Sequence, residues 1–284
     1  MRSIPVADAH SHINPVRGLG VERVVERFAR AGGWFIALVS LSPGHYGFNG
    51  YSLDGHLKAL KAHVEACRRA RRCGVEVACL AGVHPAEVVR LVDRLGARRG
   101  LELALSILDN VARLCEEGLC DGIGEVGRPH FTCSPLGLVA SQLVMYRALE
   151  LARELGVVVH LHLEQGGIVT ALDVERTCRL LGVADRVLVH HAKGEGLAEC
   201  AKRGLYASTP AAWNNLVDAC RRAGSRFMVE SDYLDDPRRP GVVVYPWVLV
   251  ENVGRLVAEG LWSEEDAYRA CVDMVCKLYR VEPP

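Results

Sequence analysis

Long apolar runs are missing from this chain. None approaches the roughly 18 residues that a membrane-spanning helix requires, so no membrane association is expected. The start lacks the charged, apolar and small-residue pattern of a cleavable leader, and a cytoplasmic protein is the expectation. Net charge is missing too: 34 basic residues balance 34 acidic ones. That argues against a broad basic surface for nucleic acid, although a local basic site stays open. Lysine is scarce, 5 against 29 arginines. Cysteine is plentiful at 11, yet the count is odd and no C-x-x-C pair occurs. Neither a zinc ribbon nor a redox pair is suggested, and buried reduced thiol is the default reading for Cys67, Cys79, Cys178, Cys220, Cys271 and Cys276. Disulfides inside cells occur chiefly in hyperthermophiles, and composition alone does not separate heat adaptation from a GC-rich genome. Linkers rich in Pro, Gly and Ser, composition breaks and internal repeats are also missing. One domain over residues 1–284 is the expectation.

What is present is an alternation. Strand-like runs at Pro5–His10, Trp34–Leu41, Val75–Val83, Asp121–Val126, Val157–Leu163, Arg186–His191, Gly204–Ala207 and Arg226–Ser231 are followed mostly by helical periodicity. Several are nearly continuous apolar runs, as suits parallel strands covered on both faces. Helical stretches are read at Val21–Ala31, Asp54–Arg72, Pro85–Leu95, Leu138–Leu155, Thr170–Leu181, Glu195–Lys202, Ala211–Arg222, Pro246–Glu259 and Ser263–Leu278, with an extra helix at Leu101–Glu117. Eight β-then-α units over this length predict a (β/α)8 TIM barrel, with a doubly wound open sheet as the runner-up. The polar residues favour the barrel. Ligand-type side chains end the first, fourth, fifth, sixth and eighth strands, and only a closed barrel brings those ends to one rim.

Those side chains carry the chemistry. Alternate residues of a strand share a face, so His10 and His12 of Asp8-Ala9-His10-Ser11-His12 project together, with Asp8 and Asn14 placed to orient them. Glu125 sits between glycines in Gly122-Ile123-Gly124-Glu125-Val126-Gly127. A carboxylate in an apolar strand is costly unless paired or metal-bound; the alternative partner is Arg128. His160, His162 and Glu164 share parity on the fifth strand. His190 and His191 have opposite parity, so only one should face inward. Glu230 and Asp232 share parity on the eighth. Together these make a binuclear centre plausible, in which two ions share a carboxylate, activate water and polarise a phosphoryl or carbonyl oxygen, with a terminal Asp taking the proton.

At these residues the chain resembles the TatD-related metal-dependent hydrolases of the amidohydrolase superfamily, especially their archaeal branch. The matching stretches are Asp8–His12, Ala31-Gly32-Gly33, Gly82-Val83-His84-Pro85, Gly124–Gly127, Glu154–Glu164, Val189–Ala192 and Glu230–Gly241. The resemblance implies a barrel with two divalent ions, zinc first with magnesium or manganese as alternatives. It implies His10 and His12 on the first ion, Glu125 bridging, His162 rather than His160 from the fifth strand, His190 from the sixth, and Asp232 as ligand and proton acceptor. His84 matches a position beside the metal shell. Glu164 departs from the pattern, since the nucleases usually carry Arg there; Ser231 replaces a common Thr. Losing that Arg removes a phosphate clamp.

Around the centre, Arg128, Glu164, Lys193, Tyr233, Arg238 and Arg239 follow strand ends and are candidates to contact substrate. The Gly-rich loop Ser42–Leu53 presents His45, Tyr46, Phe48 and Tyr51, able to stack on a base or to pack on the next loop. The run Arg68–Arg72 should lie on the far face, as solvated charge or a subunit contact. The leading function is phosphodiester hydrolysis, with DNA among the substrates. The alternatives are small-molecule hydrolysis of a phosphotriester, lactone or amide, and a non-catalytic metal-binding barrel. Oligomeric state is not legible.

Overall fold

The computed structural model describes residues 4–238 and 244–284. Eight parallel strands run in sequential order: β1 (Val6–Ser11), β2 (Gly33–Val39), β3 (Glu76–Ala81), β4 (Gly122–Gly127), β5 (Val158–His162), β6 (Val187–Val189), β7 (Tyr206–Pro210) and β8 (Met228–Glu230). The ring is completed where β8 returns to β1. Asp232 N donates to His10 O at 3.0 Å, His12 N donates to Tyr233 O at 2.7 Å, and Ser231 N donates to Asp8 Oδ1 at 2.8 Å. The architecture is the expected (β/α)8 barrel. Sheet hydrogen bonds satisfy β2 through β7 on both sides, and the rim bonds just given join β8 to β1, which is why these strands tolerate burial as near-continuous apolar runs.

Helices follow the strands because apolar residues recur at i, i+3 and i+4. In Val21–Ala31 the buried set is Val21, Val24, Val25 and Phe28. The helix ends at Gly32, whose φ of 112° lies in left-handed space and whose N–H returns to the last carbonyls. Helix Pro85–Leu95 starts on His84, whose side chain accepts from Ala86 N. Leu53–Ala70, Ala97–Glu116 and Pro135–Leu155 also follow the predicted order. Two elements differ from expectation. β7 extends through Ser208-Thr209-Pro210, a sequence that reads as a turn; Ala211 N still donates to Glu230 O just beyond it. The last segment is not one helix but Glu264–Tyr268, a π-turn over Arg269–Asp273, and Met274–Tyr279. That segment packs Val272, Val275 and Leu278 against Phe35, Leu80, Val158, Leu188 and Met228, sealing the N-terminal ends of the strands. Among the described residues no helix is long and apolar enough to cross a membrane.

The Arg68–Arg72 run is spent on neighbouring carboxylates: Arg69 holds Glu22 with two bonds of 2.5 and 2.6 Å, and Arg71 reaches Asp121 at 2.6 Å. All 11 cysteines are free thiols.

Candidate metal centre at the C-terminal rim

The six residues singled out for metal converge. His10 Nε2 and His12 Nε2 lie 3.2 Å apart, and Glu125 Oε1 is 3.4 Å from His12 Nε2. Glu125 Oε2 is 2.9 Å from His162 Nδ1 and 2.6 Å from His190 Nε2. Asp232 Oδ1 faces His12 Nε2 at 3.8 Å. Glu125 therefore sits at the middle, one oxygen toward each pair of imidazoles.

Local structure aims each donor. His12 donates through Nδ1–H to Val39 O at 2.9 Å, which leaves Nε2 as a bare acceptor pointing inward. His10 is held from behind by His160, with 2.9 Å between their Nδ1 atoms, and stacks on His190 at 3.8 Å between ring centroids. His160 Nε2 in turn meets the Tyr279 hydroxyl at 2.7 Å. Both nitrogens of His160 are thus engaged, and His162 is the fifth-strand histidine that reaches Glu125. Gly127 has φ 146°, and a Cβ there would sit 1.9 Å from His162 O. Only glycine lets the end of β4 lie against β5 at this point.

A buried Glu among imidazoles explains the electrostatics. Burial opposes ionisation of Glu125, but His84, His190 and His162 hold its carboxyl well below the usual carboxylate range. Burial likewise works against a charged His190, yet Glu125 and Glu230 raise its pKa well above the usual imidazole value. Burial lowers His10 well below that value and His84 to about 3. His84 is therefore neutral. Its Nδ1 accepts from Ala86 N at 2.9 Å, so its proton sits on Nε2, 3.8 Å from Glu125 Oε1. Asp8, wholly buried under His10, is pushed up to about 7 by burial.

These residues fit divalent metal. Imidazole nitrogens 3.0–3.2 Å apart, as in His162–His190 and His10–His12, repel when both are bare acceptors and are drawn together by a shared cation. His190 Nδ1 faces Glu230 Oε1 at 3.7 Å, so Nε2 is the nitrogen turned toward Glu125. Two pairs of imidazoles around Glu125, with Asp232 beside one pair, form a donor set suited to zinc or a similar ion.

Two further residues join the site: His191, which strand parity set against His190, and His130, which the sequence reading did not single out. His191 follows β6 with φ 60°, a left-handed turn that cancels strand parity and swings its ring to the rim. There Nδ1–H donates to Asp232 Oδ2 at 2.8 Å and Nε2 accepts from Lys193 Nζ at 3.0 Å. His130, in the loop after β4, stands 2.6 Å from His162 Nε2. The strand pattern carries no signal for it.

The candidate substrate contacts are distributed differently. Arg128 is clamped: it gives two 2.8 Å bonds to Glu164, one of 2.5 Å to Asp173 and one of 3.1 Å to Gln142. Glu164 and Asp173 thus neutralise this arginine. Tyr233 is buried and donates to Asp235 Oδ1 at 3.1 Å. Arg238 is exposed and paired with Asp236 at 2.9 Å; Arg239 lies outside the described residues. The mouth is a cavity of about 380 Å³ lined by His12, Ser42, His84, Arg90, His130 and Asp232 among others. A second cavity of about 490 Å³ adjoins it through Ser42, His45 and Arg90, and includes Phe48, Tyr51 and Glu87. In the Gly-rich loop Tyr46 is buried and packs with Leu41 and Ala59, and only Tyr51 is well exposed.

A family model described as TatD related DNase matches residues 7–280. The uncharacterised protein MJ1127 of Methanocaldococcus jannaschii is 28% identical over 287 residues, covering 99% of this chain and 98% of that protein. Among solved structures, the TatD homologue YJJV of Escherichia coli superposes with TM-score 0.67 at 16% identity, covering 98% of each chain. The phosphotriesterase homology protein of Escherichia coli, solved with phosphate in its active site, gives 0.63 at 15% identity, covering 98% of this chain and 100% of the other.

Proposed function

The chain belongs to the TatD-related DNase family, and from that premise we propose that it is a hydrolase of phosphodiester bonds using two divalent ions held on either side of Glu125. The observation that carries the reading is the convergence of His10, His12, His162, His190 and Asp232 on that one buried carboxylate. His10, His12 and Asp232 would hold one ion and His162 and His190 the other, with Glu125 shared. Bound there, such ions supply Lewis acidity toward a phosphoryl oxygen and a lowered pKa for water.

The protein's own groups do the rest. Asp232 takes the proton of the attacking water, because it is the one carboxylate at the mouth with an outward partner. The hydrogen bonds from Lys193 Nζ to His191 Nε2 and from His191 Nδ1–H to Asp232 Oδ2 both point toward that carboxylate, so they hold it oriented and ionised as the acceptor. The neutral His84 offers its Nε2–H toward the reacting group and stays a donor through the working pH range. Arg90 borders both cavities and is the cation placed for a substrate phosphate.

One observation favours a second reading. The Glu164 clamp takes Arg128 away from a substrate phosphate, and the mouth is the size of a small-molecule site. A compact phosphotriester or lactone would need neither an arginine clamp nor a long groove. Protein reconstituted with Zn²⁺, Mn²⁺ or Mg²⁺ and assayed against single-stranded DNA, a simple phosphodiester, a phosphotriester, a lactone and an amide tests both readings. Diester hydrolysis is the expected result. Turnover confined to triester or lactone overturns the first reading in favour of the second, and tight metal binding without turnover on any substrate overturns both.

A further inference from the structure

A second group of metal-type donors lies outside the barrel wall, in the layer between strand and helix. His63 and Cys67 stand one turn apart on helix Leu53–Ala70, so they share a face. Cys79 is on β3, and its side chain turns into the apolar layer between strand and helix. The donor atoms of His63, Cys67 and Cys79 all lie within 4.8 Å of one another. Cys120, just before β4, is hydrogen-bonded to the Cys79 thiol. All four are buried, at 2%, 0%, 0% and 3% exposure.

Three features distinguish this group from ordinary buried thiols. An imidazole this deep costs free energy unless its nitrogens are well partnered, yet His63 Nε2 faces the Cys67 sulfur at 3.5 Å, and sulfur is a weak partner. That 3.5 Å also matches the edge of a zinc tetrahedron: Zn–N and Zn–S bonds of ordinary length place N and S about 3.6 Å apart. Finally, the donors come from three separate elements, and Cys79 N and Asp121 Oδ2 already tie two of them together at 2.7 Å. We propose that His63, Cys67, Cys79 and Cys120 form a closed structural site for Zn²⁺ or a similarly thiophilic ion. A closed four-ligand site leaves no position for water or substrate, so its role is to staple the helix to β3 and β4.

The test uses the full chain produced in cobalt-supplemented medium. Thiolate ligation gives a near-ultraviolet sulfur-to-cobalt charge-transfer absorption that a histidine and carboxylate centre does not produce. The expected result is about one equivalent of that absorption. It should vanish in Cys67→Ala and Cys79→Ala and persist in His190→Ala, which alters only the rim. Zinc-grown protein should melt on the order of 5 °C above the Cys67→Ala variant. Cobalt-loaded wild type without the charge-transfer band overturns the proposal, and does so even if a cysteine variant fails to fold. An intact mass short by two hydrogens also overturns it, by showing a disulfide in place of the metal. Neither outcome bears on the rim centre, whose failure would appear in the hydrolysis panel instead.

Discussion

Glu87 offers a quantitative test of how this barrel holds charge beside its mouth. It lies in the first turn of helix Pro85–Leu95, borders the adjoining cavity, and is 5% exposed, with His56 Nε2 3.7 Å away. Burial raises its pKa from 4.5 to about 8, against a smaller opposing pull from Arg90. The folded state therefore keeps a proton on Glu87 that the unfolded chain releases near pH 4.5. Where the folded state binds more protons, stability falls as pH rises. The contribution is fully present below the unfolded pKa, declines across the interval, and is lost above the folded pKa. The slope is ~1.4 kcal/mol per pH unit between the two pKa values, which imply a loss of about 5 kcal/mol in all, of which about 2 kcal/mol falls between pH 6 and pH 8. Glu87→Gln keeps the shape and removes the titration. Chemical denaturation of both proteins from about pH 5 to pH 9 should show the wild type losing stability relative to the variant by about this amount, then levelling off. A difference independent of pH would show that Glu87 is ionised in the folded protein and that the burial argument is wrong.

The other expectations concern the centre. Asp232→Asn should lower kcat by about 10²–10⁴-fold while most metal remains, because it removes the proton acceptor but keeps an oxygen ligand; wild-type turnover in the fully loaded variant would refute the role. His162→Ala should lose metal and activity together, whereas Tyr279→Phe, which unties His160 behind His10, should weaken metal affinity by roughly 10-fold or less; metal analysis separates them, and the reverse order would overturn the assignment. Arg128→Ala should destabilise the fold by about 2–4 kcal/mol, since it leaves Glu164 and Asp173 without their cation. Its KM for a phosphodiester should barely move. A large rise in KM at unchanged stability would return Arg128 to the substrate.

The barrel was legible in the chain because parallel strands buried on both faces leave an unmistakable apolar rhythm, and because ligand-type residues recur where each run stops. Glu125 could be singled out since an unpaired carboxylate in such a strand is costly. Parity arguments failed where the strand did: β6 ends at Val189, and His191 turns left-handed, so a rule for extended backbone no longer applied. His130 sits on a loop, where sequence spacing gives no direction. The Arg128–Glu164 clamp joins residues on two different strands' ends, and each alone resembled a substrate contact. The His63–Cys79 group is invisible to motif reading for a similar reason: its donors belong to three elements and have no fixed spacing.

The bonds that close the ring between β8 and β1 have a temporal consequence. Asp8 and Ser231, 223 residues apart, are joined by a hydrogen bond, and the same seam carries His10, His12 and Asp232. During synthesis the first two donors leave the ribosome long before the last one exists. On the proposed assignment, a chain still short of β8 carries the histidines without the carboxylate that takes the proton. Completion of the fold and arrival of that carboxylate become one event, so topology itself holds back activity until the ring is closed.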